Sequence, residues 1–82
     1  MTAKKLDPAV RRALAKVRVA EHMRDPALGK ISDSLANAAA GQLTRGAFPD
    51  LEAQGLITWQ PYSGYKLTAT GEKLLRDSGV VL

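Results

Sequence analysis

The side chains best equipped for chemistry here bind rather than catalyse. Lys4, Lys5, Arg11, Arg12, Lys16 and Arg18 crowd the first quarter of the chain, and Arg45 and Lys66 stand apart from them. Guanidinium and ammonium groups at such density neutralise an anionic partner, or form the solvated face of a helix. Tyr62 falls in a Pro-Tyr-Ser-Gly turn, where an exposed ring and hydroxyl suit contact. Catalytic patterns are missing. There is no cysteine, no Gly-x-Ser-x-Gly, no His-Glu-x-x-His and no glycine-rich phosphate loop. Asp50 and Glu52 are two apart on a helical segment, so they point to different faces and cannot work as an acid–base pair. His22 is the only histidine, has no second ligand at metal spacing, and reads as a surface residue. No enzyme activity, metal or cofactor is expected.

At 82 residues the chain has room for one domain. A domain of this size buries only ~60–65% of the surface its unfolded chain exposes, so packing must be dense or shared with a second copy. The net charge is +4 and the pI about 9.8. Residues 1–30 hold eight cations and three anions, hence +5; residues 31–82 hold four and five, hence −1. An apolar run of ~20 residues, enough for a bilayer, is lacking. No apolar stretch follows Lys4 and Lys5 as a secretory leader would require, so a cytoplasmic location is expected.

Those side chains need elements to hold them. Residues 1–6 read as a basic tail. Asp7 caps and Pro8 opens a first helix over 7–25, with Val10, Ala13, Leu14, Val17 and Ala20 as its apolar stripe. Met23 is expected to fill a gap in the core. Asp25-Pro26 ends the helix, and 26–30 is a linker. Ser32 or Asp33 caps a short helix to Ala40, stopped by Gly41. A third helical segment starts near Gln42 or Leu43 and runs to Gln54. Gly46 and Pro49 make it kinked, or split with Pro49 in a new first turn. Gly55 is the stop. Residues 56–60 and 65–67 read as two strands around a turn at 61–64, with Trp59 in the core or pairing across the strands, and Tyr65 packed beneath. Thr68 caps a last helix over 68–79 that turns Leu74 and Leu75 inward. The fold class is mainly α with a small β-hairpin.

The segments Leu-Glu-Ala-Gln-Gly-Leu-Ile at 51–57 and Tyr-Lys-Leu-Thr-Ala-Thr-Gly at 65–71 carry a likeness. Over about 31–76 the chain resembles winged helix-turn-helix domains of the MarR-like and PadR-like transcription regulators. In those families the first segment ends the recognition helix and enters the wing, and the second closes the wing. The resemblance implies three helices, a two-stranded wing and a C-terminal helix. It implies binding to double-stranded DNA by a small regulator or architectural factor of bacterial or phage type. Gln42, Thr44 and Arg45 would face the major groove, with Arg45 able to read a guanine edge. The wing tip, with Gln60, Tyr62, Ser63 and Lys66, would lie along the backbone or the minor groove. Lys4, Lys5, Arg11, Arg12, Lys16 and Arg18 would add phosphate or partner contacts. The interrupted third helix and a wing with Lys66 as its one cation favour an alternative, a winged-helix module that docks on a larger protein. The first helix and the apolar tail Val80-Val81-Leu82 could also form a homodimer seam.

Overall fold

Asp7 and Pro8 begin the longest element. In the computed structural model, which describes residues 6–82, α1 spans Pro8–Arg24. The Asp7 carboxylate accepts the Ala9 N–H at 2.8 Å, satisfying an amide the helix cannot. Asp25 and Pro26 end it and lead into a 3-10 turn, Pro26–Leu28. Ser32 caps α2 (Asp33–Ala39) by accepting the Leu35 N–H at 3.0 Å. A longer connection over 40–46 leads to α3 (Ala47–Ala53). The strands β1 (Ile57–Gln60) and β2 (Gly64–Leu67) form an antiparallel hairpin, and α4 (Ala69–Asp77) follows.

One large side chain from each of five elements meets at the centre. Leu14 of α1, Leu35 of α2, Leu51 of α3, Ile57 of β1 and Leu75 of α4 are all fully buried. Each contributes about 1.5–3 kcal/mol by leaving water. A two-stranded hairpin is marginal alone. Here it leans on α1 and α4, and Leu67 packs against the core from β2. No described helix is long and apolar enough to cross a membrane.

The end of α3 is tied by a full Schellman motif. Gly55, at φ 75, donates to the Glu52 carbonyl, and Leu56 donates to the Leu51 carbonyl at 3.0 Å. Leu56 and Leu51 are both buried, supplying the apolar contact that accompanies the motif. Thr68 joins the next elements at the same spot. Its N–H donates to the Leu56 carbonyl at 3.0 Å, its hydroxyl donates to the Gly55 carbonyl at 2.6 Å, and the same oxygen accepts the Gly71 N–H. A Cβ on Gly71 would stand 2.0 Å from the Leu56 carbonyl oxygen, so only glycine lets α4 come this close.

Several expectations are corrected. The third helix does not start at Gln42 or Leu43. Residues 42–46 form no helix, and α3 starts only at Ala47, because Gly46 turns the chain at φ 80 and serves as N-cap. Pro49 then sits in the first turn, where its missing N–H costs nothing. Gln42, Thr44 and Arg45 therefore lie on a loop, not on a helix. Met23 is 79% exposed and fills no gap, since α1 turns it away from the core near its C-terminus. His22 is buried, not on the surface; its Nδ1 pairs with the Gly29 carbonyl at 3.1 Å, a bond only a protonated Nδ1 can make. Leu6 packs against the core edge instead of belonging to a loose tail. Lys4 and Lys5 lie outside the described residues.

Candidate functional site

The turn of the hairpin presents the most unusual backbone among the described residues. The Ser63 N–H donates to the Gln60 carbonyl at 3.2 Å, closing a turn with Pro61 and Tyr62 at its centre. Pro61 sets φ for its first central position. The second carries Tyr62 at φ 68, the one described non-glycine residue in the left-handed region. Such a position belongs to glycine or asparagine in a type II turn. The Tyr62 side chain is fully exposed. Its strain is not repaid by any packing of the ring.

The strand register places Gln60 opposite Gly64, Trp59 opposite Tyr65 and Thr58 opposite Lys66. Trp59 is thus a cross-strand partner, edge-on to Tyr65 with ring centroids 5.0 Å apart, and it remains 56% exposed. Tyr65 also meets Phe48 of α3 at 5.4 Å. This run of three rings fixes the hairpin against the first turn of α3.

A cleft of about 510 Å³ opens between the end of α1, the hairpin turn and α4. Tyr62, Ser63, Lys66 and Arg18 line it, so four of the residues selected from the sequence come together. Gln60 is exposed beside them. The floor is a polar chain. Arg18 lies 3.9 Å from Glu21 and 3.8 Å from Glu72, and Glu72 pairs with Arg76 at 2.7 Å. The buried Glu21 also accepts the Leu67 N–H at 3.1 Å, fastening α1 to β2. Arg24 stands at the rim, donating to the Tyr65 carbonyl at 2.8 Å. Sequence reasoning counted Arg24 only within the basic first third; its neighbourhood depends on where the hairpin lands, 41 residues later.

The other selected residues lie elsewhere or are held within the fold. Gln42, Thr44 and Arg45 are exposed on the 40–46 connection, and among the described residues none shares a hydrogen bond with the hairpin turn. Arg12, like Arg18, is held within the fold. Arg12 donates to the Ala40 carbonyl at 2.8 Å and the Gln42 carbonyl at 3.2 Å, which pins the connection. Gly41 leaves room for it, since a Cβ there would meet Arg12 Nε at 2.8 Å. The Arg18 side chain is only 14% exposed. Arg11 and Lys16 are half-buried along α1. The outward side of α3 exposes Pro49, Asp50, Glu52 and Ala53, with no cation. Val80 of the tail is buried in its own chain, and Val81 is hydrogen-bonded through its backbone to Ser32 and Ser34. No group of acidic, histidine or cysteine side chains suited to a metal occurs among the described residues.

Among known proteins, no family model, no curated protein and no solved structure matches this chain.

Proposed function

We propose that this protein is a small winged-helix protein that binds double-stranded DNA through its hairpin turn and the 40–46 connection, with α3 set back from the duplex. Its role would be that of a transcriptional regulator or an architectural factor. The observation that carries this reading is Tyr62, held in a strained conformation with its ring fully in solvent beside Ser63 and Lys66. Strain kept at an exposed position is best explained by what the position touches. A turn with a hydroxyl, an aromatic ring and a cation suits the sugar-phosphate backbone. Gln42, Thr44 and Arg45 are exposed and carry the donors and acceptors that base edges need. Asp50 and Glu52 on the outer side of α3 would repel phosphates.

A mobility-shift titration on random duplex at two salt concentrations tests this. Binding should weaken as salt rises, and Arg45→Ala and Lys66→Ala should each reduce it at low salt. Absence of any salt-sensitive binding to duplex would sink the reading.

A second reading is favoured by one observation, the outer side of α3, which exposes Asp50 and Glu52 and carries no cation. That surface suits docking on a basic protein partner. Reversing Asp50 and Glu52 to lysine separates the two readings. It should strengthen duplex binding under the first and abolish partner capture under the second.

A further inference from the structure

Arg24 has a geometry that a surface cation does not need. Its Nη2 donates to the Tyr65 carbonyl at 2.8 Å, while its Nη1 would lie 3.4 Å from a Cβ on Gly64. The guanidinium therefore rests on the bare hairpin backbone, in space that a side chain at position 64 would crowd. One bond uses one of five N–H groups. The residue is exposed, so the rest of the fork is open to the cleft rim. Lys66 and Ser63 border the same cleft. The neighbouring carboxylates have other work. Glu21 and Glu72 face Arg18 and Arg76, and the Asp25 carboxylate accepts the Ala27 N–H. Arg24 and Lys66 are the cations of this rim without a salt bridge among the described residues.

We infer that Arg24 is a pre-oriented phosphate contact, seated on Gly64 and held by the Tyr65 carbonyl so that it takes one phosphodiester of a duplex beside Lys66 and Ser63. This rests on the DNA-binding reading above. Arginine suits the task because its planar fork matches two phosphate oxygens, and a guanidinium already fixed by one bond loses less freedom on binding. The Tyr65 bond alone would make Arg24 a mere staple between α1 and the hairpin, and the two roles differ in what salt does.

Fluorescence anisotropy with a labelled random duplex, over a series of salt concentrations, distinguishes them. Each phosphate contact contributes about 0.9 to the slope of log K against log salt. Arg24→Ala should lower the slope by about that amount. Arg24→Gln keeps a donor for the Tyr65 carbonyl but loses the charge, and should lower it equally. Lys73→Ala, on exposed α4 and away from this cleft, should change it much less. Melting curves report folding of each variant. A slope unchanged in a folded Arg24 variant overturns the inference while the DNA reading stands. Wild-type protein that binds no duplex overturns both.

Discussion

Tyr62 concentrates the conflict between stability and function in one residue. A non-glycine residue in the left-handed region costs ~1–2 kcal/mol, and glycine in the unfolded chain returns part of that through its larger entropy. The ring is fully exposed, so removing it loses no packing. Tyr62→Gly should therefore stabilise the fold by about 0.5–1 kcal/mol, seen as a higher urea midpoint, while duplex binding weakens. A lower midpoint would mean that the ring supports the turn, and its strain would then say nothing about contact. The exposed position was legible from Pro61 and Gly64 flanking a turn. The strain was not, because in Pro-Tyr-Ser-Gly the glycine is the obvious place for a positive φ, and Gly64 does take one at φ 87; nothing in the sequence says that Tyr62 takes a second. Arg12 and Arg18 were legible as charge but not as direction. Apart from Glu21, one turn along α1 from Arg18, their partners are backbone carbonyls and a carboxylate brought near by tertiary packing: Ala40 lies 28 residues from Arg12.

Two glycines show how the elements are joined. Gly55 holds φ 75 with open space where a side chain would go. Gly71 lies in α4 with the Leu56 carbonyl where its Cβ would be. Gly55→Ala should cost only the conformational ~1 kcal/mol. Gly71→Ala must push α4 away from the base of the hairpin, and should reach or exceed the upper end of the ~1–3 kcal/mol usual for overpacking. Denaturant titration of both variants checks the order; equal costs would mean that α4 shifts freely. Helix caps and stops were readable because Asp7, Ser32, Gly55 and Thr68 act on their own neighbours. The break in the third helix was readable, but not that residues 42–46 form no helix. Gly46 and Pro49 both disfavour a helix interior, but choosing where it restarts requires knowing that Phe48 must reach Tyr65. The role of Gly71 was not readable, since close approach by a distant backbone leaves no local mark.

For the whole molecule, the charge balance read from the sequence survives as a sum and changes as a surface. Residues 1–30 are net +5. Yet Arg12 and Arg18 serve internal bonds, and α3 presents carboxylates outward. Of the exposed cations, Arg24 and Lys66 share the cleft rim, while Arg45 stands on the connection and Lys30, Lys73 and Arg76 lie elsewhere. The backbone of Leu56 holds this arrangement together. Its N–H closes the end of α3, and its carbonyl receives Thr68 at the start of α4 and lies against Gly71. The end of α3, the base of the hairpin and the start of α4 thus meet at the backbone of one residue, so fraying of one strains the bonds of the others. The consequence concerns time rather than shape. Amide protons of Leu56 and Thr68 should exchange with solvent deuterium together, at the slow rate set by global opening, while the Tyr62 amide in the exposed turn exchanges far sooner. Exchange of Thr68 well ahead of Leu56 would show that α4 peels away alone. Joint exchange would mean that the hairpin turn is presented by a base that opens only when the whole domain does.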